Sequence, residues 1–158
     1  MSEPLVEARA PEEVDHLLPS APFEFITGVA GSGKSFLVRR RAEEFDGVVL
    51  CSTTGISAVN LGEGVITLNS FLGYFDTASL RDEWTQGWLS AKLMKHVKAG
   101  LRNLVIDEVS MLDAEQLTIL ALAADELNEQ LEGMKAGEDG DLEDVRLSIT
   151  LTGDMCQL

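Results

Sequence analysis

Two short stretches of this 158-residue chain carry residue types suited to handling a phosphorylated nucleotide. The first is "GVAGSGKS", Gly28 to Ser35, which fits G-x-x-x-x-G-K-[ST] at each fixed position. Gly28, Gly31 and Gly33 permit a tight turn in which successive backbone N–H groups, those of Val29, Ala30 and Ser32 among them, face phosphate oxygens. Lys34 is placed to reach the β- and γ-phosphates, and the Ser35 hydroxyl to ligate Mg²⁺. A helix starting near Gly33 adds the positive end of its dipole. The bland alternative is a glycine-rich turn with no ligand, but an apolar strand before the motif and a helical pattern after it match the context that phosphate binding needs.

The second stretch, "LVIDEVSML", sets Asp107 and Glu108 at the end of an apolar run about seventy residues after the first. In open α/β sheets ligands sit off the carboxyl ends of the strands, which would bring both acids beside the phosphates. Asp107 would hold Mg²⁺, and Glu108 would orient and deprotonate an attacking water. Phosphoryl transfer depends mainly on metal, positioning and charge neutralisation. An acid pair of this kind favours hydrolysis of the nucleotide over transfer to a small acceptor.

Four apolar or β-branched runs, "FEFIT" (23–27), "GVVLCST" (47–53), "LRNLVIDE" (101–108) and "LSITLTG" (147–153), read as strands. Helical patterns over "KSFLVRRRAEEF" (34–45) and "AEQLTILALAADELNEQL" (114–131) lie between them, the latter with Asp113 as its N-cap. Near-continuous apolar strands alternating with helices predict an α/β fold, a parallel sheet covered on both faces. "GISAVNL" (55–61) has room for a helical turn or two, and "EGMKAGEDGDLEDVR" (132–146) reads as a solvated loop. Residues 1–22, acidic and holding Pro4, Pro11, Pro19 and Pro22, read as an extension preceding a domain over 23–158, with "PEEVDHLL" as a short helix.

The net charge of −15 argues against a general nucleic-acid binder. The acid is unevenly spread, however. Residues 125–144 hold nine carboxylates against one lysine, and residues 1–24 hold six against Arg9, leaving the remainder close to neutral. A local DNA-binding face is therefore only weakly opposed. No stretch approaches the ~18 apolar residues of a membrane span, and the N-terminus lacks the features of a signal peptide. The expectation is a cytoplasmic protein without a membrane partner, with Cys51 and Cys156 as free, buried thiols.

The blocks "FITGVAGSGKSFLV", "STTGISAVNLGEGVITLNSFLGY", "LVIDEVSMLD" and "LTGDMCQL" together resemble the first motor domain of superfamily 1B DNA helicases, the petite-integration-frequency branch with its RecD-like and Dda-like relatives. The resemblance covers residues 23–158. It implies a RecA-like P-loop fold, ATP and Mg²⁺ as cofactors, single-stranded DNA as partner, and a second RecA-like domain carrying an arginine finger. DNA repair and recombination are the settings it suggests. It further implies that Gln157 senses the γ-phosphate, that Asp154 shapes that loop, and that Thr54, Gly55, Asn69 and Ser70 contact DNA. Small hydroxyl residues and exposed backbone N–H groups suit contacts that follow a strand without reading it. Read from its residues alone, "CSTTGISAVNL" is equally an ordinary strand–loop–helix with Thr and Gly capping.

The sequence departs from the family pattern at three places. Asn69 stands where the family commonly has His. No glutamine precedes the phosphate loop, Gln86 being the first, so the usual adenine-reading residue is not identifiable. The sequence ends just after "GDMCQL". The expected behaviour of these 158 residues alone is nucleotide binding, slow hydrolysis and no unwinding. Two rival readings are a stand-alone nucleotide-binding module or subunit, and a small-molecule kinase, which would need an arginine-rich lid where "VRRRAEE" is the single Arg cluster.

Weaker signals complete the reading. Trp84 and Trp88 are spaced four apart, as if on one helical face, and read as packing on the domain; the resemblance implies that this segment carries a wedge that splits the duplex, a part that Phe75 or Trp84 could take. His16 and His96 read as surface residues. Met111 and the apolar residues of 117–124 read as core.

Overall fold

The computed structural model describes residues 7–9, 18–19, 21–28, 33–137 and 145–153. In chain order the elements are β1 (Glu7–Arg9), β2 (Phe23–Thr27), α1 (Lys34–Glu44), β3 (Val48–Ser52), α2 (Gly55–Leu61), β4 (Ile66–Thr67), α3 (Leu68–Leu72), α4 (Thr77–Thr85), α5 (Trp88–Lys98), β5 (Asn103–Asp107), a 3₁₀ turn (Val109–Met111), α6 (Ala114–Gly137) and β6 (Ser148–Gly153). The strands form one sheet in the order β1-β2-β6-β5-β3-β4, and each described pairing is parallel.

The four expected strands are present, and their burial explains why they read as unbroken apolar runs. Every residue of β5 and β6 is buried, because both faces of the sheet are covered. On one face Ile26, Val48, Leu50 and Val105 pack with Val38 of α1 and Leu61 of α2. On the other, Phe23, Phe25, Leu104, Ile106, Ile149 and Leu151 pack under α3 to α6. Leu120, Ala123, Ala124, Leu127 and Leu131 give α6 its buried stripe. Each fully buried Leu contributes about 1.5–3 kcal/mol of transfer free energy. Cys51 is a free thiol in this layer, and burial pushes its pKa up to about 12.

Several expectations are corrected. The stretch assigned to an extension supplies an edge strand, with Glu7, Ala8 and Arg9 opposite Glu24, Phe25 and Ile26; the helix expected over "PEEVDHLL" lies almost wholly outside the described residues. The expected loop over 132–146 begins later, since α6 continues to Gly137. Trp84 and Trp88 do not share a helix. Gly87, at φ 80°, interrupts the chain between α4 and α5, a left-handed conformation that L side chains rarely adopt. Trp84 packs against the larger core, whereas Trp88 is exposed. Met111, expected in the core, is 65% exposed. His96 is half-buried, its ring stacked on Phe71 at 4.3 Å.

Candidate active site

Because the strands run parallel, their carboxyl ends share one edge of the sheet. Register partners line up there: Thr27 with Gly153, Asp107 with Ser52, and Ser52 with Thr67. The phosphate-loop motif, the acid pair and the segments holding Thr54–Gly55 and Asn69–Ser70 follow these positions, so their common location is set by strand register.

Gly28 leaves β2 and Gly33 enters α1 at φ 90°. The left-handed φ is the reason for glycine at this position. Lys34 folds back, its Nζ donating to the Gly28 carbonyl at 2.5 Å across the mouth of the loop. Val29, Ala30, Gly31 and Ser32, and likewise Asp154 and Gln157, lie outside the described residues.

Asp107 ends β5 and is 5% exposed. The hydroxyl of Thr152, on neighbouring β6, donates to its Oδ1. Glu108 follows at φ 60°, ψ 51°, the one non-glycine residue with positive φ among the described residues. Its carbonyl accepts from the Thr53 hydroxyl at 3.2 Å, which ties the turn to the end of β3. That backbone turn directs the chain into the 3₁₀ turn and lays Met111 at the rim. Ser35, Asp107, Glu108, Thr54, Arg39 and Met111 line one cavity of about 500 Å³. The first and second expected stretches therefore meet.

The oxygen donors there, a hydroxyl from Ser35 and a carboxylate from Asp107, suit a hard divalent cation. Among the described residues no group of three or more His, Cys, Asp or Glu could hold a metal by itself. That donor set matches Mg²⁺, which keeps several waters and takes one or two protein oxygens together with substrate phosphates.

The four residues expected to contact DNA are not all brought together. Thr54 borders the cavity, while its hydroxyl oxygen caps α2 by accepting from the Ser57 N–H at 3.1 Å. Gly55 is exposed beside it. Asn69 and Ser70 sit on α3, away from the cavity lining. Thr67 caps that helix by accepting from the Ser70 N–H at 3.2 Å, and Asn69 Nδ2 donates to the Phe75 carbonyl at 3.3 Å. The capping contacts are those of an ordinary strand–loop–helix.

Sequence reasoning missed Thr152, Thr53 and Arg39. Arg39 lies one helical turn beyond Ser35, a spacing that could have placed it on the same face; its Nη1 reaches the Leu61 carbonyl at 3.5 Å. The two threonines carry no signal without strand register. In the larger core, Tyr74 donates its hydroxyl to Gln116 at 3.0 Å. Burial first, then Asp113 and Cys51, push its pKa up to about 12.

Residues 11–138 match a family described as "AAA domain". The chain is similar to the ATP-dependent DNA helicase PIF1 of Saccharomyces cerevisiae, at 32% identity over 131 residues, which is 77% of this chain and 15% of that protein. Among solved structures it is similar to the Pif1 helicase from Candida albicans, at 28% identity and TM-score 0.53, covering 82% of this chain and 28% of that one. It is also similar to Bacteroides sp Pif1 in complex with ADP-AlF4, at 25% identity and TM-score 0.51, covering 85% and 28%. The chain thus spans about a seventh of the yeast relative and little more than a quarter of the two solved chains. Among the described residues, no helix is long and apolar enough to cross a membrane.

Proposed function

Because the chain belongs to the AAA domain family, as a Pif1-like motor domain of RecA-like P-loop fold, we propose that it binds ATP with Mg²⁺ in the cavity off the sheet's carboxyl edge and serves as half of a motor that moves along single-stranded DNA. One observation carries the reading: Ser35 of the phosphate loop lines the same cavity as Asp107 and Glu108.

Each residue has a role in that reading. The backbone of Gly28 to Gly33 and the start of α1 hold the phosphates, and Lys34 exchanges its contact with the Gly28 carbonyl for phosphate oxygens. Ser35 and Asp107 hold Mg²⁺, whose part is to neutralise charge on the phosphate oxygens. Glu108 accepts the proton of the attacking water at its carboxylate. Gln157, with Asp154 beside it, reports the γ-phosphate. Gly55 and Ser70, both exposed, together with Thr54 and Asn69 face the strand. A second RecA-like domain supplies the arginine finger, a group worth on the order of 10³–10⁵ in rate in other nucleotide hydrolases. The small share of its relatives that this chain spans supports that division.

The test is a titration of the 158 residues with a fluorescent ADP analogue and Mg²⁺, alongside ATP turnover with and without single-stranded DNA. Binding that Lys34→Ala weakens and Glu108→Gln preserves is the expected result. Equal binding by Lys34→Ala, or robust strand separation by these residues alone, would overturn the reading.

A further inference from the structure

Beneath the cavity, on the side of the sheet covered by α1, four polar side chains are completely enclosed: Glu24, Arg41, Asn103 and Thr150 are each 0% exposed. Arg41 grips Glu24 with both terminal nitrogens, Nη1 to Oε1 at 2.5 Å and Nη2 to Oε2 at 3.2 Å. Nη1 also reaches Asn103 Oδ1 and Thr150 Oγ1, each at 3.3 Å. Thr150 donates to Glu24 Oε1 at 2.8 Å and accepts from Asn103 Nδ2 at 2.9 Å. Asn103 Nδ2 also donates to the Ser148 carbonyl at 3.2 Å.

A buried ion pair is weak evidence of a purely stabilising role. Enclosing an ion pair costs desolvation that its attraction often fails to recover, and well-packed apolar side chains of similar volume usually serve as well or better. Arg41 Nε is moreover buried with no hydrogen-bond partner among the described residues. What distinguishes the four residues is their origin. Glu24 lies on β2, which delivers the chain to Gly28. Arg41 lies on α1, which begins with Lys34 and Ser35. Asn103 opens β5, which ends at Asp107. Thr150 lies on β6, two residues before Thr152. Every element that feeds the cavity with a phosphate-loop residue, an acid or its hydroxyl partner sends one side chain into this cluster.

We propose that the Arg41–Glu24–Asn103–Thr150 cluster is a positioning device for the nucleotide site, holding the two elements that flank the phosphate loop and the strands that carry Asp107 and Thr152 at the spacing that lets Ser35 and Asp107 share one Mg²⁺. This rests on the nucleotide reading above. None of the four touches nucleotide; they act through Ser35 and Asp107. The geometry at the metal is sensitive to such support, because a hard octahedral ion tolerates little displacement of its oxygen donors.

The test uses the 158-residue chain, a double variant Glu24→Leu/Arg41→Met, and Thr150→Val, which leaves the ion pair and removes its link to β6. Thermal unfolding and affinity for a fluorescent ADP analogue are measured, with and without Mg²⁺. The double variant leaves buried Asn103 Oδ1 without its Arg41 donor and the Thr150 hydroxyl without its Glu24 acceptor, so it should unfold below the parent temperature while remaining folded. Its affinity with Mg²⁺ should fall on the order of ten-fold, as when supporting contacts to a metal ligand are removed, and its affinity without Mg²⁺ should change less. Thr150→Val should shift affinity in the same direction by a smaller factor. Unchanged Mg²⁺-dependent affinity in a stably folded double variant overturns the proposal; if the double variant does not fold, unchanged affinity in Thr150→Val overturns it. A parent chain that binds no nucleotide overturns the nucleotide reading itself, an outcome visible before any variant is compared.

Discussion

The hydroxyl of Thr152 donates to the carboxylate of Asp107, joining the ends of two adjacent buried strands. Ile106 and Leu151 are register partners, so the next residue along each strand is brought alongside the other. With Asp107 only 5% exposed and lining the cavity, this contact holds one of its oxygens. Thr152→Val keeps the shape and removes the donor. A hydrogen bond to a charged group contributes about 1.5–3 kcal/mol, and loss of support behind a metal ligand typically costs on the order of ten-fold in metal affinity. Nucleotide binding titrated against Mg²⁺ should show that loss, with a small fall in unfolding temperature. Unaltered Mg²⁺ dependence would mean that Thr152 serves only the strand pairing.

Glu108 carries a second, opposed effect. Its backbone sits at φ 60°, ψ 51°, where a side chain other than glycine or asparagine costs roughly 1–2 kcal/mol. Glu108→Gly should therefore stabilise the fold by about 1 kcal/mol, or roughly 2–4 °C in a domain of this size, while removing the carboxylate proposed above to activate water. Calorimetry and ATP turnover, the latter measured with the second domain present, check the two halves separately. A Glu108→Gly variant that is less stable than the parent would show that the side chain, not the backbone, holds this turn.

How much of this was legible beforehand depends on where each feature gets its stability. Strands such as "NLVID" and "SITLTG" are buried on both faces, so their local composition already states their environment. The meeting of Ser35 with Asp107 and Glu108 at one cavity was legible because phosphate and metal chemistry restricts residue type at fixed spacing. The edge strand Glu7–Arg9 was not, since three residues acquire strand character only by pairing with β2. Ile66–Thr67 and the five-residue α3 are likewise shorter than any periodicity can reveal. Gly87 turned an apparent four-residue helical spacing into two helices, and Glu108's left-handed turn carried Met111 out of the core. Thr152 and the Glu24–Arg41 pair depend on register and helix phase between segments far apart in sequence, and only the folded chain brings them together.

Acid stability should depend on the start of α6. Asp113 Oδ1 accepts from the Gln116 N–H at 2.7 Å, as an N-cap does, and its other oxygen accepts from the Thr77 hydroxyl. The Thr77 hydroxyl first, and the Gln116 backbone second, hold the Asp113 pKa below its ordinary value. The folded state thus favours the carboxylate. Its stabilisation is complete above the unfolded-state pKa of about 4 and is lost as pH falls through the depressed folded value. Asp113→Asn retains a good cap but cannot titrate. Urea midpoints measured from neutral to acid pH should be similar for the two chains near pH 7, with a shallower acid limb in the variant. Parallel acid limbs would assign the acid sensitivity to other groups, such as Glu115, whose pKa the hydrogen bond from Arg81 lowers in the same sense.

The two aromatic residues considered for strand separation differ in ways that single substitutions can read. Trp84 packs against the larger core. Phe75 is 92% exposed, although its backbone is held on both sides: its N–H donates to Ser79 Oγ at 2.8 Å and its carbonyl accepts from Asn69 Nδ2 at 3.3 Å. An exposed ring on an immobilised backbone loses little further entropy when it stacks on a base, and such stacking contributes about 1–3 kcal/mol per base. Phe75→Ala should leave stability within about 0.5 kcal/mol, whereas Trp84→Ala, which removes a half-buried ring, should cost about 2 kcal/mol. In a polypeptide that includes the second RecA-like domain, Phe75→Ala should slow separation of a forked duplex while ATP turnover on single-stranded DNA persists. Equal loss of both activities, with stability unchanged, would place Phe75 at the domain contact instead of on the strand.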